Sequence, residues 1–83
     1  MKFKAEIDVM PLKSLLDPQG KAVGASMGNV GLAEIENVRI GKHITLEIEA
    51  NNEQDAISKV DEACKKMLCN QIMESFEFTV SKV

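Results

Sequence analysis

Few residues in this chain are of a kind that makes or breaks bonds, and their spacing limits what they can do. His43 is the single histidine, the one side chain whose ordinary pKa lies near neutrality. It stands beside Lys42 with no Ser or Cys close by in sequence, so no nucleophile–base pair is indicated. It reads as a solvated turn residue or a contact to a partner. The two cysteines, Cys64 and Cys69, form neither a CxxC pair nor a disulfide framework. One histidine and two thiols far from it do not make the clustered donor set of a metal site. Cys64 falls on an apolar stripe and reads as a packed thiol. Cys69 follows that stripe and is expected to be part-exposed, with no adjacent base to lower its pKa. Carboxylates are plentiful, but they sit where a solvated face is expected, and no pair stands out as acid and base.

The stretch "LLDPQG" (15–20) is the other place where chemistry is conceivable, because a helix N-terminus can hold an anion. A phosphate loop of the Gly-x-x-x-x-Gly-Lys-Ser/Thr type is missing. Asp17 at the cap would repel an anion. Asp17 and Pro18 instead read as the N-cap and first residue of an ordinary helix. Leu15 and Leu16 are apolar in what should be a loop, so they either staple the helix start or meet another chain.

The elements that position these residues follow from periodicity. Residues 2–10 alternate, with Phe3, Ala5, Ile7 and Val9 on one face and Lys2, Lys4, Glu6 and Asp8 on the other, as a strand ended by Pro11. A helix is expected over 18–30, weakened by Gly20, Gly24 and Gly28, with Gly28, Asn29 and Gly31 all plausible stops. "IENVRI" and "ITLEIEA" read as two strands joined by "GKH". Burial favours a three-residue loop that pairs Ile40 with Ile44 and Val38 with Leu46, although Gly41 is not at the usual left-handed position of such loops, leaving a bulge open. Asn51 or Asn52 caps a second helix, whose stripe is Ala56, Ile57, Val60, Ala63, Cys64, Met67 and Leu68. "SFEFTVSKV" alternates as a last strand. The order β-α-β-β-α-β predicts an α+β, two-layer, ferredoxin-like sandwich, with an antiparallel sheet and both helices on one face. The opposite face is polar: Lys2, Lys4, Glu6, Asp8, Asn37, Arg39, Thr45, Glu47, Glu49, Glu77 and Thr79.

The 83 residues make one domain, 1–83. A chain this short buries roughly 60–65% of its unfolded surface, so association with copies of itself is the expected source of extra stability. No signal-peptide or membrane-length apolar run occurs, which points to a cytoplasmic protein with free thiols and no membrane partner. The net charge of −3 opposes nucleic-acid binding. An RNA-recognition module would need exposed aromatics on its central strands, where this chain has Thr45, Glu47 and Glu49. A metal-chaperone domain would need CxxC in the 11–20 loop, which has no Cys.

Two stretches together resemble one family: "LDPQG" after a first strand, and "VRIGK" (38–42) opening into "LEIEA". With "DEACKKMLCNQIMESFEFTV", they are similar to the PurS family, the small subunit of phosphoribosylformylglycinamidine synthase. The resemblance spans nearly the whole chain. The sequence departs from the family pattern at Gln71, where Pro commonly follows Asn70, at Phe76, where Tyr is common, and in the Gly-rich "GASMGNVGLAEI". The resemblance implies a non-catalytic subunit of an ATP-dependent glutamine amidotransferase ligase. The glutaminase subunit PurQ releases ammonia, and the synthetase subunit PurL uses ATP and Mg²⁺ to activate the amide of formylglycinamide ribonucleotide. This chain would bring the two together and assist ammonia transfer, as a homodimer or homotetramer, binding no cofactor itself. No catalytic residue is carried over. Asp17, Gly20, Arg39, Gly41, Lys42 and His43 are the positions expected to face a partner or to set shape. Arg39 has a cross-strand pair with Glu47 as its alternative, and Lys42 a solvated hairpin tip. Rival readings are an ACT-like amino-acid-binding regulatory module, which shares the element order, and an acylphosphatase-like enzyme. The latter would need an Arg in the first loop, where only Lys13 is cationic.

Overall fold

Strict alternation of apolar and charged residues builds the central strand. The computed structural model describes all 83 residues. Its strand β1 (Lys2–Pro11) buries Phe3, Ala5, Ile7 and Val9 and exposes the charged residues between them. β2 (Lys42–Glu49) and β3 (Glu74–Lys82) flank it antiparallel, in the order β2-β1-β3. Register keeps apolar with apolar: Ile7 lies opposite Ile44 and Phe78, and Ala5 opposite Leu46 and Val80. The other face pairs Lys4 with Glu47 and Asp8 with His43 and Glu77. The predicted polar face is therefore present on all three strands, without Asn37 and Arg39.

α2 (Glu53–Ala63) covers the apolar face of β1 and β3. Asn52 is its cap, its side chain accepting from the Asp55 N–H at 2.8 Å, while Glu53 and Asp55 occupy the first turn as the helix dipole favours. The Asp55 carboxyl is held below the usual aspartate range by the Asn51 N–H and by Lys59. Val60 and Cys64 reach the floor made by Ala5, Ile7 and Val9, and Ala56 packs with Phe3 and Ala50. The helix then widens into a π turn, Cys64–Leu68, closed by the Cys69 N–H on the Cys64 carbonyl at 3.0 Å. That turn corrects the expectation for Cys69. On a plain α-helix a residue five positions on points ~140° away, but the wider turn swings Cys69 back under Cys64, and it is only 6% exposed. Burial pushes both thiols above the usual range, with Asp61 adding to it at Cys64 and Glu74 at Cys69.

α1 (Pro18–Ser26) starts as expected from Asp17 and Pro18, then tightens into a 3₁₀ turn, Met27–Val30. Of the three candidate stops the structure uses Gly31, at φ 79°.

The main departure from expectation is the segment 35–40. It is extended in part but joins no ladder, and Asn37 adopts a left-handed φ of 58°. The Ile40–Ile44 and Val38–Leu46 hairpin therefore does not form. β1 already takes the edge of β2 that a hairpin would use, and the Ile40 N–H is held by Asp17 at the start of α1. Segment and helix project as an arm. The radius of gyration is 16.4 Å, against about 12 Å for a compact chain of this length. The extents are 51 × 26 × 14 Å.

Ile7 is fully buried at the crossing of all three strands and α2. Ile7→Ala should cost about 2–5 kcal/mol, read as a lower urea midpoint with an unchanged slope.

Candidate partner-docking site

The site begins with one carboxylate that receives two amides. Asp17 Oδ1 accepts the Gly20 N–H at 2.9 Å, which caps α1, and Oδ2 accepts the Ile40 N–H at 2.8 Å, which ties the helix to the chain entering β2. These two bonds, with the Arg39 charge behind them, hold the Asp17 carboxyl below the usual aspartate range. Gly20 sits so close that a Cβ would stand 2.2 Å from the Val38 carbonyl oxygen. Arg39 donates to the Pro11 carbonyl, closing the same clasp from the far side, so it does not pair with Glu47. Gly41 passes against Val9 and Met10, where a Cβ would lie 2.4 Å from the Val9 carbonyl oxygen.

Four of the sequence-predicted residues, Asp17, Gly20, Arg39 and Gly41, are thus brought together, as a shape-setting clasp. Lys42 and His43 are not in it. There is no hairpin tip at 41–43, and both belong to β2. Lys42 reaches Glu74 at 3.9 Å. His43 lies on the polar sheet face, its Nδ1 2.6 Å from Asp8 and its Nε2 3.8 Å from Glu6. Its contacts are the carboxylates of Asp8 and Glu6, which orient the imidazole.

Of the two readings open for Leu15 and Leu16, a staple at the helix start or a contact with another chain, the structure does not make the staple. A staple would need an apolar side chain one turn into α1, and Lys21 occupies that position. Leu16 accordingly stays 72% exposed. An open groove of about 550 Å³ lies on one side of these leucines, against Gly24 and Ile35–Arg39. A second of about 410 Å³ lies on the other, against Pro11, Ile40 and Met73. Backbone bonds from Leu12 to Met73 at 2.9 Å and from Leu15 to Leu12 at 3.0 Å fix the loop between them. Such a rigid apolar knob between open grooves can dock protein. No helix of the chain is long and apolar enough to cross a membrane.

Comparison with known proteins decides the family. The family model described as PurS, phosphoribosylformylglycinamidine (FGAM) synthase, matches residues 4–82. The chain belongs to the PurS family. The phosphoribosylformylglycinamidine synthase subunit PurS of Bacillus subtilis is 36% identical over 98% of this chain and 95% of its own. A solved Bacillus subtilis PurS structure overlays with a TM-score of 0.86 at 35% identity, covering 96% of this chain and 99% of that one. A chain of the Thermotoga maritima PurLQS structure overlays at 0.88 with 31% identity, covering 98% and 99%. The two-layer α+β architecture is that of the PurS structures, and the ACT-like reading draws no support from this match.

Three variants test the clasp. Gly24 has room for a methyl group, 3.7 Å from Val38, so Gly24→Ala should raise stability by about 0.5–1 kcal/mol. Gly20→Ala, which meets the Val38 carbonyl, should lower it; thermal melts read both. Because the folded carboxyl of Asp17 lies below its unfolded value, the clasp is complete above the usual aspartate pKa of about 4 and is lost as pH falls through the folded value. The Ile40 amide resonance should be flat above pH 5 and shift only in acid. In Asp17→Asn that acid transition should vanish, since a carboxamide takes up no proton in this range.

Proposed function

We propose that this chain is the non-catalytic PurS subunit of phosphoribosylformylglycinamidine synthase, in de novo purine biosynthesis. It would hold the glutaminase subunit PurQ beside the synthetase subunit PurL and assist ammonia transfer between them. The observation that carries this reading is the full-length likeness to a chain of the PurLQS structure, at a TM-score of 0.88. The physical role is effective concentration: a shared subunit makes the meeting of two enzymes intramolecular and shortens the path on which ammonia can be lost to water. The exposed knob of Leu15 and Leu16 and the grooves beside it supply a docking surface. Asp17, Gly20, Arg39 and Gly41 support the surface from behind, and Lys42 and His43 lie at the start of β2. On this reading the chain works in the cytoplasm as a homodimer or homotetramer and binds no cofactor itself. ATP and Mg²⁺ are used by the synthetase subunit.

Mixing the purified chain with PurQ and PurL should restore glutamine-dependent amidine formation, while the chain alone has neither glutaminase nor ATPase activity. Leu16→Asp should cut the restored rate at least tenfold at a fixed subunit concentration, with the fold intact by circular dichroism. Full glutamine-dependent turnover without this chain would defeat the proposal.

A further inference from the structure

The turn that leads into β3, residues 70–74, has an apolar tip that its own construction does not call for. The Asn70 carbonyl accepts the Met73 N–H at 2.9 Å and the Glu74 N–H at 2.7 Å. The Asn70 side chain accepts the Ile72 N–H at 3.1 Å, and Glu74 Oε1 accepts the Asn70 N–H at 2.9 Å. The side chains these bonds require are those of Asn70 and Glu74. Turn positions are ordinarily filled by Gly, Pro, Asn, Asp or Ser. Here two of them are Ile72 and Met73, 84% and 54% exposed. The bond from the Leu12 N–H to the Met73 carbonyl ties this turn to the loop that carries Leu15 and Leu16. Met73 from one loop and Leu15 and Leu16 from the other line the groove of about 410 Å³.

The charge of that groove says what fits it. Its charged lining residues are Asp17 and Glu74, with no Lys, Arg or His. The groove on the other side of the leucines balances Asp17 and Glu36 with Lys21 and Arg39. Glu74 Oε1 is used inside the turn. Its Oε2 accepts no hydrogen bond within the chain, and Lys42 stands 3.9 Å away, beyond hydrogen-bond reach. We propose that this groove receives a segment of one of the two enzyme subunits in which an apolar side chain stands next to a lysine or arginine. The apolar side chain enters between Leu15 and Met73, and the cation donates to Glu74 Oε2. A second copy of this chain, with its net charge of −3, has the same sign as the groove and is the poorer match. The bonds that fix both loops mean that little ordering is left for docking to pay.

The inference rests on the role proposed above in glutamine-dependent synthesis, and the test separates the two. The full chain is titrated into fixed PurQ and PurL, and the concentration that gives half of the restored glutamine-dependent rate is measured. Met73→Ser should raise that concentration about tenfold, as loss of a buried apolar anchor does, with the rate at saturation unchanged. Glu74→Gln keeps an acceptor for the Asn70 N–H and removes only the charge. It should raise the half-saturating concentration about two- to fivefold, and NaCl at about 0.3 M should shift the unaltered chain more than this variant. Circular dichroism checks that both variants fold. A chain that restores no rate overturns the proposed function itself. Restoration indifferent to Met73→Ser overturns docking in this groove and leaves that function standing. A response to Met73→Ser with none to Glu74→Gln or to salt overturns the cation. Weaker self-association of Met73→Ser in sedimentation, with its half-saturating concentration unchanged, gives the groove to a second copy and overturns the proposal.

Discussion

Asp17 satisfies two amides from different parts of the chain, and the molecule's outline follows from that double acceptance. One bond starts α1 and the other fixes the chain just before β2. Because both come from the same carboxylate, the helix axis and the path of 38–40 are locked to one another. The lock works only with Gly20 at the third helical residue, where the helix backbone lies against the Val38 carbonyl. A side chain there would separate the two segments and free the Ile40 amide. The arm is therefore tied to the body at its base, and its apolar side chains are carried outward from there.

Much of this could be read from residue order. β1 and β3 alternate without a break, so their faces and ends follow from period two. α2 announces itself through Asn52, its acidic first turn and its stripe, and Asp17 with Pro18 marks α1. The segment 35–40 shows where such reading stops. Its composition suits a strand, but a strand needs a partner, and the local pattern cannot say that β1 will occupy β2 first. Nor could it say that an aspartate at 17 would take the amide at 40, since the two are remote in sequence and the bond exists only after folding. Cys69 shows a different limit: the π turn comes from how the chain must close over Cys64, and no composition cue marks it. At the site, Gly20, Arg39 and Gly41 were visible as residues, but their clasping role required knowing which backbone each approaches.

The chemistry agrees with a supporting subunit. Both thiols are packed away and hard to ionise, and the one imidazole is flanked by Asp8 and Glu6. The molecule instead carries apolar residues outward, on the knob of Leu15 and Leu16 and on α1. In a chain of this size such exposure is costly unless another surface removes it from water.

The molecule extends only 14 Å along its shortest axis, and the alternating residues of β1 separate core from solvent along the strand. An insertion or deletion of one residue inside β1 would exchange Ile7 for Glu6 or Asp8 in the interior, since neighbouring positions face opposite ways. Changes of length in this lineage should therefore gather between Gly28 and Asn37, where every residue is exposed and no strand register has to be preserved.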